Sequence, residues 1–361
     1  MAQASHKALI VGGLGVSGRH LATELAARPN WDVLSVARSA PPASVSLADR
    51  VQHLRLDACD PQACCQLLAQ HRGITHLFYC ARQDHPQPSE EVRLNNAMLT
   101  NVLDALAASS PGLQHVMVMH GMKAYGTLVG PFRTPARETD PRLPVTLSYY
   151  SQEDLLRERC AQSGWSWSTL RPGPIMGITL GYSGNLVLIL GVWGSICREL
   201  GMPLWFPGTE AGFNSLRQGC DVRLLAKAAV WTATHESCAN QAFNVSNGDL
   251  FRWERLWPEI AAFFGLEPGP VFPMRLRDFM RDKDPLWNAL IERHGLQPNP
   301  FSAVASWGYA DTFHNGWDSF RTDLRLRATG FSQVSDTSVC LLGLLAQAPA
   351  AAALIFFLSR T

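Results

Sequence analysis

The chain has 361 residues, enough to bury a large core as one large domain or two of ordinary size. Its 31 basic and 30 acidic residues leave a net charge of +1, and neither sign gathers in a block, which argues against a nucleic-acid or polyanion surface. Nine cysteines, an odd number without CxxC or zinc spacing, predict reduced thiols in a cytoplasmic protein and no metal site, and MAQASHK lacks the apolar stretch of a secretory signal.

Residues 8–12 are an apolar run of strand length, followed by a turn with Gly12, Gly15 and Gly18 spaced three apart. A helical pattern opens at Val16 and runs through Leu21, Leu25 and Ala26. Strand, glycine turn and helix N-terminus in this order predict the start of a dinucleotide-binding βαβ unit. Gly12 permits the sharp turn, Gly15 lets backbone N–H groups approach a pyrophosphate, and Gly18 lets the helix pack close to the sheet. The helix dipole and free N–H groups then hold the phosphate charge.

Trp31 to Ala37 predicts the second strand, ending at Arg38-Ser39. An acidic residue at this point accepts hydrogen bonds from the 2′-hydroxyl of NAD, whereas a basic one meets the 2′-phosphate of NADP. Arg38 lies twenty residues past Gly18 and favours NADP. Val51 to Leu56 reads as the third strand and delivers Asp57 toward the adenine amine. Pro61 to Gln70 reads as a helix, and Thr75 to Cys80 as the fourth strand before the loop Ala81-Arg82-Gln83. Ser89 to Ala108 has the pattern of an amphipathic helix, with Ser89 as its N-cap and acids in its first turn. Leu113 to Met119 and Ser166 to Arg171 supply two more strands. This alternation predicts an α/β, doubly wound parallel Rossmann sheet over residues 1–177.

Residues 178–338 read as a smaller C-terminal substrate-binding lobe that shares the main sheet. Leu186 to Cys197 is apolar almost all round, which suits a helix walling a greasy cavity. Gln241 to Val245 reads as a strand and Trp253 to Phe264 as a helix, with Trp253 and Trp257 on one core-facing side. Residues 339–361 form an apolar tail close to membrane-span length, but Gln347 and Pro349 interrupt it, so a packed last helix with a loose end is expected rather than an anchor.

A Rossmann chain of this size points to the extended short-chain dehydrogenases, whose usual catalysis pairs a tyrosine with a lysine four residues on. None of the six tyrosines has that lysine: Glu153 follows Tyr149 and Asp154 follows Tyr150 at this spacing. The ordinary alcohol-oxidising arrangement cannot be built. Lys123, in HGMKAYG, follows the fifth strand at the carboxyl edge of the sheet, and Tyr149-Tyr150 open the next helix. An ammonium and a phenol can therefore converge from different elements.

The strings GGLGVSG, VAR after the second strand, GMKAYG, YYSQEDLL, RPGPIMG and FNVSNGDLFRW together resemble the progesterone 5β-reductase/iridoid synthase-like family of atypical extended short-chain dehydrogenases, from about Leu9 to Phe331. The resemblance implies reduction of activated C=C bonds of small hydrophobic enones or enals with NADPH. It implies that Tyr149 and Lys123 are catalytic, and that Leu14, Gly15, Val16, Arg38, Ser39, Asp57, Ala58, Ala81 and Ile175 lie beside the cofactor. Phe132, in VGPF, is implied to line the substrate pocket, with Tyr150 beside it. Two departures stand out: Ser39 follows Arg38 where plant members often carry a second arginine, and Met119-His120-Gly121 replaces Gln-Thr-Gly before the lysine. The rival readings are a sugar-nucleotide epimerase or dehydratase, which wants the missing Tyr–Lys pair, and an NADP-sensing regulatory protein, which has no need of Tyr149 and Lys123. Homodimer assembly stays open.

Overall fold

The structure, a computed structural model, describes residues 6–41, 47–179, 185–295 and 298–347. The chain forms two compact units, neither continuous in sequence. The first comprises the chain up to Pro172 together with Val222–Val245 and Thr322–Gln333, and the second comprises Gly173–Asp221, Ser246–Arg321 and the chain from Val334 on. Where the sequence predicts one cut after residue 177, the chain leaves the first unit after Pro172 and returns to it twice, because a strand and a late segment belong there.

The first unit carries the sheet. Its strands are β1 (His6–Val11), β2 (Trp31–Ala37), β3 (Val51–Arg55), β4 (His76–Tyr79), β5 (His115–Met119), β6 (Ser166–Pro172) and a last one, Gln241–Val245. From one edge the order is Gln241–Val245, β6, β5, β4, β1, β2, β3. Every pairing is parallel. The winding reverses between β1 and β4, so this is a doubly wound sheet with its switch point there. Parallel strands end on one edge, and the loops after β1, β2, β3, β4 and β5 all leave the sheet on that side. Central strands of such a sheet are covered on both faces, and Ala8, Leu9 and Ile10 of β1 are fully buried in succession.

The helices on this sheet include α1 (Val16–Ala26), α2 (Pro61–Gln70), α3 (Pro88–Ser109), α4 (Ser148–Ser163) and the later helix Val222–Thr234, which packs beside α1. One core face joins Leu9, Leu34, Leu77, Leu99, Val116 and Trp167, and burying each side chain of this kind stabilises the fold by about 1.5–3 kcal/mol. Asp60 caps α2, its Oδ1 accepting from the backbone N–H groups of Gln62 and Ala63 at 2.9 and 3.0 Å. Ser89 does not cap α3. Pro88, whose φ is preset for a first helical turn, starts that helix one residue sooner with Gln87 at the N-cap.

In the second unit the helix Leu186–Glu199 is capped by Asn185 and buried along most of its length. It packs in one cluster with Phe206, Trp257, Phe264 and Phe313. Its all-round apolarity therefore belongs to a core helix covered on all sides, not to a cavity wall. Trp253 and Trp257 are both buried in the same cluster, as their spacing predicts. The helix Thr337–Gln347 buries Cys340, Leu341, Leu344 and Leu345, and its first residue is tied to Asp249, whose Oδ1 accepts from Thr337 Oγ1 at 2.6 Å. The rest of the apolar tail, 348–361, lies outside the described residues. Among the described residues no helix is long and apolar enough to cross a membrane.

Candidate active site

The glycine turn after β1 is built by close approach. Gly12 has φ +84°, and a Cβ on it would fall 2.7–2.8 Å from the backbone of Ala81 and Cys80. A Cβ on Gly18 would meet the Gly12 carbonyl oxygen at 2.3 Å, so helix α1 presses directly on the turn. Gly13, which the three-residue spacing passes over, is equally confined, because a Cβ there would overlap the Ser35 hydroxyl at 1.9 Å. The doublet Gly12-Gly13 is its only signal in the sequence. Leu14 and Val16 are half-buried and Gly15 is exposed at the N-cap of α1. That N-terminus has no side-chain cap and no acid in its first turn. Bare N–H groups and a helix dipole over a turn stripped of side chains fit a dinucleotide pyrophosphate.

Arg38 and Ser39 are exposed at the end of β2. Arg38 Nη1 donates to Gln83 Oε1 at 3.4 Å. Two residues of β3, unmarked by any motif, hold this loop: His53 Nε2 donates to the Ser39 carbonyl at 3.2 Å and Arg55 Nε to the Arg38 carbonyl at 3.3 Å. Asp57 is exposed, and its carboxylate accepts from the Cys59 N–H at 3.0 Å. Ala58 is buried, with its carbonyl accepting from Asn101 at 2.9 Å, and Ala81 is half-buried under the glycine turn. Ile175 belongs to the second unit, in a two-residue strand paired with Cys220–Asp221.

After β5 the chain makes a short 3₁₀ turn, Met122–Tyr125, that presents Lys123. Its ammonium is half-buried and makes no hydrogen bond or ion pair among the described residues; burial, then the nearby Arg82 charge, lowers its pKa. Tyr149, in the first turn of α4, is buried beside this segment, and a Cβ on Gly121 would lie 3.6 Å from its oxygen. Tyr150 faces elsewhere. Its hydroxyl donates to the Ala124 carbonyl at 2.7 Å and accepts from the Leu143 N–H at 3.2 Å, bracing the lysine turn. Phe132 packs on Met122, Tyr125 and Ala136 in the same loop region.

His120 stacks on Tyr149 with ring centroids 4.5 Å apart and planes 16° from parallel. Its protonation follows from its neighbours. Gln152 uses its amide N–H to donate to the Asn95 carbonyl at 3.2 Å, so its oxygen is what faces His120 Nε2, also at 3.2 Å. Nε2 therefore carries the hydrogen, and Nδ1 is buried without a partner. Burial, and secondarily the charge of Arg171, holds the His120 pKa down to about 3, so the ring is neutral.

The residue at +4 from Tyr149, Glu153, is buried and bound to Arg157 at 2.7 Å and Arg171 at 2.9 Å. Arg171 in turn donates to the Tyr125 hydroxyl at 3.2 Å. Among the described residues, a cation that reaches the phenol is Arg82, on the loop after β4. Its Nη1 donates to Tyr149 Oη at 3.2 Å, and its Nη2 meets Glu91 at 2.8 Å and Asp84 at 3.0 Å. Asn95 pins this loop through both the N–H and the carbonyl of Gln83, at 3.0 and 2.7 Å. Arg82 carries no motif; its one sequence signal is an arginine three residues past the end of a central strand.

The PRISE-like Rossmann-fold domain matches residues 57–315. An (S)-8-oxocitronellyl enol synthase of Nepeta racemosa is 34% identical over 352 residues, covering 93% of this chain and 88% of its own. A 3-oxo-Δ4,5-steroid 5β-reductase of Arabidopsis thaliana is 32% identical over 321 residues, covering 84% and 81%. Among solved structures, a UDP-glucose 4-epimerase of Thermotoga maritima superposes with a TM-score of 0.69 at 16% identity, covering 94% of this chain and 99% of that one, which shows a shared fold. The glycine turn, the tyrosine at the sheet edge and these similarities lead to one assignment: the chain belongs to the PRISE-like Rossmann-fold family.

Proposed function

We propose that the protein is an NADPH-dependent oxidoreductase that reduces activated C=C bonds, a 1,4-reductase of small hydrophobic enones or enals acting in the cytoplasm. Gly12, Leu14, Gly15, Val16 and Gly18 hold the pyrophosphate side of the cofactor, Arg38 and Ser39 the 2′-phosphate, and Asp57, Ala58 and Ala81 the adenine side. NADPH, when bound, supplies the hydride that adds to the β-carbon of the substrate. Negative charge then arrives on the carbonyl oxygen, and Tyr149 donates its O–H to that oxygen. Lys123 adds a positive field and steadies the cofactor, Phe132 shapes the pocket, and Tyr150 supports it by bracing the turn that carries Lys123.

One observation carries this reading. The Tyr149 phenol accepts a hydrogen bond from Arg82 and lies against a neutral histidine, with a buried glutamate where a dehydrogenase needs its lysine. That arrangement stabilises an oxyanion without a proton relay along the helix. The names of the two relatives support it: a 3-oxo-Δ4,5-steroid is an enone, and an enol results when hydride adds to the β-carbon of an enal and the oxygen takes a proton. The test is NADPH consumption with a panel of enones, enals, saturated ketones and a UDP-sugar. Turnover confined to the conjugated carbonyls is expected. No consumption with any substrate would favour the sensor reading, and action on the UDP-sugar would favour the epimerase.

A further inference from the structure

Four residues after Tyr149 on its own helix stands Glu153, which is committed to Arg157 and Arg171. Arg82, 67 residues before Tyr149 in the chain, donates to the phenol oxygen. The guanidinium is not a loose surface group. One terminal nitrogen is on the phenol, the other is clamped by Glu91 of α3 and Asp84 of its own loop, and Asn95 holds the loop backbone. Its Cζ lies 5.8 Å from the ring centroid, so the charge sits toward the hydroxyl end of the phenol. The bond uses an acceptor lone pair of Tyr149 and not its hydrogen.

We propose that Arg82 is the positioning residue of this site: it fixes the Tyr149 hydroxyl and favours negative charge on its oxygen, the duty a lysine four residues on performs in ordinary short-chain dehydrogenases. The activity part of this inference rests on the reductase reading above; the acidity part does not. Among the described residues, the charged and titratable groups near the phenol include Arg82, its partners Asp84 after β4 and Glu91 from α3, and His120, which is neutral; Lys123 after β5 lies close to Arg82. Two carboxylates share one guanidinium, so the field on the phenol is tempered, and changing either partner moves it in a defined direction.

The test is the ultraviolet difference titration of the Tyr149 phenol, read as each protein minus its Tyr149→Phe counterpart, with no substrate present. Arg82→Gln is expected to raise the midpoint by about one pH unit or more, and Arg82→Lys to return it most of the way. Glu91→Gln is expected to lower it, because the guanidinium is then less neutralised. In turnover, Arg82→Gln is expected to lower kcat about tenfold or more while KM for NADPH changes little. An unmoved midpoint in folded Arg82→Gln overturns the proposal whatever the turnover. If that variant does not fold, an unchanged or raised midpoint in Glu91→Gln overturns it. A shifted midpoint in a protein that reduces no enone upholds the role of Arg82 and sinks the reductase reading.

Discussion

Glu153 and Arg171 face each other at 2.9 Å with both side chains buried, and Glu153 is the residue that follows Tyr149 by four. The helix position that a dehydrogenase gives to its lysine is thus the negative end of an internal ion pair. Restoring the lysine should fail on stability grounds. Glu153→Lys sets two buried cations against each other and removes the partner of Arg157, and breaking a buried pair in this way costs about 3–5 kcal/mol. Denaturant unfolding is expected to show that loss with no gain of secondary-alcohol oxidation. Wild-type stability, or new alcohol oxidation, would mean the pair is dispensable.

The chemistry gives a second prediction. Loss of one hydrogen-bond donor at an oxyanion costs about 2.7–4 kcal/mol, or roughly a hundred- to a thousandfold in kcat. Tyr149→Phe is expected to fall in that range on enones and to retain residual turnover on strongly activated ones. Lys123→Ala should slow the same step and weaken NADPH binding, and Tyr150→Phe should do less, since its hydroxyl braces the Ala124 carbonyl. Full activity in Tyr149→Phe would move the donor elsewhere.

Cofactor choice is the third. Arg38 is exposed at the end of β2, and removing a charged hydrogen bond costs about 1.5–3 kcal/mol, roughly ten- to a hundredfold in affinity. Binding titrations should show Arg38→Ala weakened toward NADPH by that factor and almost unchanged toward NADH. Equal losses for both would remove Arg38 from the 2′-phosphate.

Stability against pH is the fourth. Burial is the main cause that holds His76 down to about 4 and His115 and His120 to about 3. His115 is neutral between the hydroxyls of Ser166 and Ser168, at 2.8 and 2.9 Å. An unfolded chain takes up these protons below about pH 6.5, whereas the fold resists them until far lower. Stability present above that pH is therefore lost as the pH falls toward 4, by about 2 kcal/mol per histidine at pH 5. Melting temperature should drop between about pH 7 and about pH 5, and less steeply in His115→Gln. A flat profile would place these rings in contact with water.

The strands and the first helices were legible because each is a local pattern: an apolar run, a glycine or proline turn, then a helical period. Tyr149 and Lys123 stand out as candidates only through the strings around them, and the missing lysine is visible as Glu153. What the residue at +4 does instead is not, because ion pairing with Arg171 depends on how α4 lies on β6. Arg82 was harder still. Its partner is 67 residues away, and periodicity says which face a side chain takes but not which loop it meets. Ser89 misled for a different reason: a serine before a helical pattern is a cap signal, yet the preceding proline had already begun the helix.

The discontinuity of the sheet-bearing unit sets an order on synthesis. Until residues 241–245 leave the ribosome, β6 is an edge strand whose outward N–H and C=O groups have no ladder partner. The unit is not complete until Gln333, some 160 residues after the chain first departs from it at Pro172. A nascent chain therefore displays the glycine turn and both catalytic candidates long before the sheet beneath them is closed, and during that interval it offers an open β-edge to chaperones or to other copies of itself.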